Sequence, residues 1–229
     1  MISILVIAFL IISALMVYAS AAISSKVYLH CLCKQKDTTN KIAITYDDGI
    51  DPITTPKILD LLDKYHAKAT FFVIGEKANK HPEILKDIAS RGHNVGNHSY
   101  YHKWSFPLQT TNKIVFELKK CNFAIETELG RKTTLFRPPF GVTNPMIGRA
   151  VRRLGLTPIG WSIRSLDTMK EPIEKVRARV LKSLQAGAVI LLHDNIDGAE
   201  LLTEDILKAS AKKGLKSVTI NELFDLQHK

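Results

Sequence analysis

The strongest constraint on this fold is an alternation: short apolar runs and amphipathic helical stretches succeed one another about seven times. Strands are expected at Ile42-Ala43-Ile44, Ala69–Ile74, Asn94–Asn97, Leu135-Phe136, Pro158–Trp161, Ala188–Leu192 and Lys216–Val218. Helices are expected at Pro52–Tyr65, Pro82–Ser90, Thr110–Leu129, Pro145–Leu154, Pro172–Gln185, Glu200–Ala211 and Ile220–Leu226. Prolines near the helix starts and Gly92 just past the second helix punctuate the pattern. Such a rhythm specifies a parallel sheet with helices outside it, either open or closed as a barrel. With 229 residues, 45% of them hydrophobic, the chain is long enough to be one such domain.

The first apolar run ends in Thr45-Tyr46-Asp47-Asp48-Gly49. Carboxylates on a buried strand are costly unless paired, and a metal ion is one common partner. Adjacent strand residues point to opposite faces, so both acids lean toward one site only where the backbone turns. Read alone, Asp-Asp-Gly fits a strand-to-helix turn equally well.

Later strand ends repeat the theme. His98 and His102 are four apart, as on one side of a helical turn, and suit a single metal ion with a nearby carboxylate. His93 lies just upstream. In Arg137-Pro138-Pro139-Phe140-Gly141 two prolines stiffen the backbone after an arginine able to grip a carboxylate bidentately, although a turn with a surface arginine fits the same residues. Ile190-Leu191-Leu192 runs into His193-Asp194, which places an imidazole at a strand end for acid or base work. A capping or core histidine is the ordinary reading, and it loses ground because this residue closes a strand of the same series. Asp167, in Trp161–Asp167, is suited to orient such an imidazole.

Residues 1–23 carry no charged side chain and are long enough to span a bilayer, as an anchor or a signal peptide with Ala19-Ser20-Ala21 as a small-residue cleavage site. Lys26, Lys34 and Lys36 follow this span, which by the positive-inside rule favours a cytoplasmic body. Residues 24–40 read as a polar linker. The net charge of +10 is dispersed, as on a solvated basic face, and no nucleic-acid recognition module is visible. Three cysteines, Cys31, Cys33 and Cys121, form neither a disulfide framework nor a zinc pattern.

In order and in placement at successive strand ends, these five stretches resemble the polysaccharide deacetylases of the carbohydrate esterase 4 type, also called the NodB homology domain. The resemblance covers roughly residues 40–225. It implies a distorted (β/α)7-type barrel over 41–229 that removes N-acetyl groups from N-acetylglucosamine-containing polysaccharide or peptidoglycan. It implies Asp48, His98 and His102 as metal ligands, with Zn2+ the usual ion and Co2+ or Mn2+ as substitutes. Asp47 takes the place of the catalytic base, Arg137 of its tether, His193 of the catalytic acid and Asp167 of the acid's partner. Phe140, through its backbone N–H, Leu191 and Trp161 take the substrate-facing places. The chain departs from the pattern where Arg164 and Thr168 replace an acid and a tryptophan, so one wall of the acetyl pocket is expected to be altered. An O-acetyl esterase, another amidase and an inactive sugar-binding protein are the competing readings. The expected partners are an acetylated glycan and, through residues 1–23, a membrane, with no nucleic acid and a monomeric chain. A polymeric substrate places the catalytic body outside the cytoplasmic membrane, against the charge flank.

Overall fold

A computed structural model describes residues 2–226. In chain order it has α1 (Ile2–Ala21), β1 (Lys41–Gly49), α2 (Thr54–Lys64), β2 (Ala69–Val73), α3 (Gly75–Lys80), α4 (Pro82–Ser90), β3 (Asn94–Asn97), α5 (Thr111–Leu129) and β4 (Leu135–Phe136). There follow α6 (Pro145–Leu154), β5 (Thr157–Pro158), β6 (Ile163–Arg164), α7 (Ile173–Ser183), β7 (Val189–His193), α8 (Ala199–Lys212), β8 (Lys216–Ser217) and α9 (Ile220–Leu223). The strands are parallel, in the order β5-β4-β3-β2-β1-β7-β6, and β8 pairs with the start of β1. The sheet curls into a distorted barrel, as the resemblance implies, with helices outside it, as the alternation predicts.

The two-residue period of a strand sorts side chains between two cores. Along β1, Ile42, Ile44 and Tyr46 pack under the outer helices, against Leu59, Leu62 and Leu202 among others. Ala43 instead points into the barrel, with Phe72, Leu135, Ile159 and Val189, and Val218, Ile220 and Leu223 close the lower end. Thr45 and Asp47 follow Ala43 on the inward period, as Leu191 and His193 follow Val189 on β7. The register pairs Asp47 with His193 directly. Strand alternation alone therefore brings the acid and the histidine to one mouth of the barrel.

Three stretches differ from the sequence reading. α3 was not expected, because Gly-Glu-Lys-Ala-Asn-Lys offers only Ala78 and Gly75 for burial and shows no apolar stripe. Of the strand expected at Pro158–Trp161 only Pro158 lies in one, at the end of β5, and Ile159 makes an isolated bridge; Gly160 and Trp161 lead on to β6, which lies beyond the expected range. Residues 24–40 are not free of the barrel. Leu29 and Cys31 are buried, Leu32 bridges to Ile159 and Lys34 to Ala188, so the segment stitches the gap between β5 and β7. Burial pushes the thiols of Cys31 and Cys121 up to about 12, which keeps both inert.

Candidate active site

Asp48 reaches the site through a β-bulge. The register of β1 on β2 slips between Asp47 and Gly49, and Asp48 sits in the left-handed region with φ of 65°. An aspartate tolerates that conformation better than most residues. The bulge breaks the alternation, so adjacent carboxylates face the same cavity. Lys77 on α3 donates to the Asp48 carbonyl at 2.7 Å and helps hold the kink. Beneath it the buried Asp194 carboxyl accepts from Thr55 Oγ1 at 2.6 Å and lies against Gly49, where an added Cβ would stand 2.5 Å from an Asp194 oxygen. Burial raises Asp194 to about 7, against the Thr55 hydrogen bond.

His98 and His102 are not on a helical turn, contrary to the spacing argument. They lie on a loop after β3, in which Ser99 and His102 both have positive φ. Asn97 Oδ1 accepts from Ser99 N at 2.8 Å, and Ser99 Oγ accepts from His102 N at 3.1 Å. These local bonds, rather than a helix, bring the imidazoles to 4.8 Å between ring centres. Asp48 Oδ1 lies 3.4 Å from His98 Nε2 and 3.3 Å from His102 Nε2.

The trio fits a divalent cation. One donor atom from each residue lies within 4.8 Å of the others. His98 Nδ1 is 2.9 Å from the Arg137 carbonyl, which can only accept, so Nδ1 carries the proton and Nε2 presents its lone pair to the site. Asp48 Oδ1 is buried with no hydrogen-bond donor. Burial opposes charge on Asp48, but the neighbouring imidazoles of His98, His102 and His193 hold its carboxyl below the usual range. Burial lowers His102 to about 4, aided by the neighbouring His98, and so favours the neutral form a cation needs. His93 takes no part. It is buried outside the cluster, where Nδ1 accepts from Ala69 N at 3.2 Å.

Arg137 is fully buried, and Nη1 donates to Asp47 Oδ1 at 2.8 Å and to Thr45 Oγ1 at 2.6 Å. The grip on Asp47 is not bidentate. The other donors go to the carbonyls of Ile159 at 3.3 Å and Gly160 at 2.9 Å, so one guanidinium ties β1 to the end of β5. Asp47 Oδ2 is left facing His98 Nε2 at 3.8 Å. Thr45, which also donates to the Ile190 carbonyl at 2.7 Å, was not singled out from sequence; its inward period was the available signal.

His193 is fixed by both oxygens of Asp167. Its Nδ1 is 2.7 Å from Oδ1, and its backbone N donates to Oδ2 at 2.9 Å. Nε2 therefore points into the cavity, 4.0 Å from Asp48 Oδ2. Burial disfavours the imidazolium, but Asp167, then Asp47 and Asp48, outweigh burial and raise the metal-free group to about 9. Because the folded value lies above the ordinary 6.5, this pair's stabilisation is whole below that pH and lost as pH rises through about 9. A cation at Asp48 would draw the upper limit down. Asp167→Asn is expected to move the alkaline limb of a kcat/KM profile to lower pH by at least about one unit, since a pairing of this kind shifts a group by 1–3 units. An unmoved limb would remove His193 as the titrating acid.

A cavity of about 300 Å³ joins these groups, walled by Phe140, Gly141, Trp161 and Leu191, with Arg164, Thr168 and Met169 on one side. Phe140 has φ of 61° and its half-exposed ring lies 4.5 Å from His102. Gly141 has φ of 69°, and a Cβ there would stand 2.4 Å from the Trp161 ring. Gly141→Ala is therefore expected to raise KM far more than it lowers kcat, by displacing Trp161. Met169, exposed at the rim, had no signal in the sequence.

Comparisons with known proteins show the family. The profile of the polysaccharide deacetylases matches residues 34–159, and the chain belongs to that family. A peptidoglycan-N-acetylglucosamine deacetylase of Bacillus cereus is 32% identical over 192 residues, covering 82% of this chain and 89% of that protein. Peptidoglycan-N-acetylmuramic acid deacetylase PdaC of Bacillus subtilis is 34% identical over 81% of this chain, which spans only 39% of PdaC. The solved structure of PdaC superposes with a TM-score of 0.77 at 29% identity, covering 83% of this chain and 93% of the solved one. The matched stretch holds Asp47, Asp48, His98, His102 and Arg137, whereas Asp167 and His193 lie beyond it and join the site through the curl of the sheet.

Proposed function

We propose that this protein is a metal-dependent deacetylase that hydrolyses N-acetyl groups on N-acetylglucosamine-containing polysaccharide or peptidoglycan. One observation carries the reading. A single cavity holds a three-donor cation cluster, a carboxylate tethered by a buried arginine, and a histidine held by a second carboxylate. A bound divalent cation, Zn2+ by its preference for two imidazoles and a carboxylate, would polarise the acetyl carbonyl and lower the pKa of a water. Asp47 is placed to take the proton from that water, its charge and direction fixed by Arg137. The backbone N–H of Phe140 serves the carbonyl oxygen as negative charge develops there. His193, charged and oriented by Asp167, gives its Nε2 proton to the departing amine. The water oxygen first adds to the carbonyl carbon; the C–N bond then breaks as the C=O bond re-forms and the amine takes up the proton, and the products are acetate and a free amino sugar. Leu191 and Trp161 seat the acetyl methyl.

In this reading residues 1–23 anchor a monomeric catalytic domain, residues 41–229, outside the cytoplasmic membrane. The relatives carry the names of both N-acetylglucosamine and N-acetylmuramic acid deacetylases, so the sugar is the part to be tested. Purified protein is to be assayed for acetate release on N-acetylated chitooligosaccharide, peptidoglycan and O-acetylated xylan, with and without a chelator. Release from the N-acetylated glycans, lost on chelation and restored by Zn2+, is expected. Release only from the ester overturns the amide reading, and chelator-insensitive release overturns the metal.

A further inference from the structure

Helix α1 does not hang from the barrel by a tether. It is 20 residues long, about 30 Å at 1.5 Å per residue, which matches a bilayer's hydrocarbon core. From Ile4 to Tyr18 its side chains are almost all exposed, and only its last turn is packed. There Thr143, itself buried, donates from its backbone N to the Ser20 carbonyl at 2.9 Å and from Oγ1 to the Ala19 carbonyl at 3.0 Å. Cleavage at Ala19-Ser20-Ala21 would strip these partners from the buried Thr143, a cost that favours a retained helix. Thr143 follows Phe140 by three residues, at most about 11 Å of chain. A wall of the cavity thus lies within that distance of where the apolar helix meets the barrel.

Beside that junction the surface is both apolar and basic. A groove of about 610 Å³ lies between the start of α5 and Asn144-Pro145-Met146, with Leu108 78% exposed and Met146 on its rim. It continues past Asn112 to the exposed ring of Phe116. Lys113 and Arg149 line the same strip, while Glu117 there is buried and bonded to Gln109 at 2.8 Å. We infer that this face rests on an anionic lipid surface, and that the barrel lies against the bilayer in which α1 is embedded. Apolar side chains entering the interface with cations at headgroup level are the usual chemistry of such contact. The continuity with α1 makes lipid, rather than a second protein, the occupant. If the deacetylase reading holds, the glycan served is the membrane-proximal fraction.

The test uses the full chain, Cys33→Ser, with an environment-sensitive fluorophore on Leu108→Cys and, as control, on Lys208→Cys of α8. In vesicles containing phosphatidylglycerol, nitroxide-labelled lipid is expected to quench the first label severalfold more than the second. Lys113→Glu with Arg149→Glu should abolish the difference while the protein still floats with the vesicles and still acts on soluble oligosaccharide. Equal quenching of the two labels overturns the inference, as does quenching that is the same in pure phosphatidylcholine and indifferent to charge reversal. Protection of the label without vesicles, rising with protein concentration, would mean a second copy of the chain and overturns it too. No glycan enters the fluorescence measurement, so its failure and failure of the deacetylase reading are distinguishable.

Discussion

Asp47→Asn is expected to lower turnover by about 10²–10⁴-fold, the usual contribution of a positioned base, while one equivalent of metal stays bound. Asp48→Ala is expected to lose the metal and the activity together. The two residues are neighbours on one strand, yet they sit differently. Asp47 is on the regular inward period and its Oδ1 is taken by Arg137. Asp48 is on the bulge, and its buried Oδ1 has only the two imidazole Nε2 atoms beside it. Asparagine keeps the size of Asp47 and an oxygen for Arg137 but cannot take a proton at neutral pH. Elemental analysis of both variants, alongside acetate release at saturating Zn2+, separates the roles. Equal metal loss in the two variants would show that Asp47 is a ligand, and near-native turnover in Asp47→Asn would end its assignment as base.

The positions of most elements were legible because buried helices and strands differ in apolar period. α4, β3 and α6 fall on the expected residues, and α5 starts one residue later. The site was legible as a set of motifs, but its local geometry was not. The Asp48 bulge and the Ser99 and His102 left-handed residues come from hydrogen bonds to Asn97, Ser99 and Lys77, which no periodicity encodes. A helical spacing singled out His98 and His102, and the structure does bring them together, but through a loop that closes the four-residue separation rather than a helical turn. The bidentate expectation for Arg137 failed because the carbonyls of Ile159 and Gly160, distant in sequence, claim its other donors. Residues 24–40 look polar, and their docking depends on Ile159 after β5 and Ala188 before β7, which are far away in the chain. In each case the missing information is tertiary.

Arg137→Met is expected to cost about 3–5 kcal/mol, because removing one partner of a buried ion pair strands the other. For a domain of this size that corresponds to a Tm lower by on the order of 10 °C. The loss is concentrated at Asp47, only 4% exposed, and at the two carbonyls of the β5 end. Without the guanidinium the Asp47 carboxylate loses the group that fixes its direction, so turnover should fall with stability. Methionine fills much of the space against the Phe72 ring, which lies 4.2 Å from the guanidinium carbon, and so separates charge from packing. Adding Asp47→Asn to Arg137→Met removes the stranded charge. The double variant is expected to regain part of the lost Tm and none of the activity, with a coupling of about 0.5–3 kcal/mol between the two sites. If the two losses in stability simply add, Arg137 acts as a tie between β1 and β5 and its hold on Asp47 carries no energy of its own.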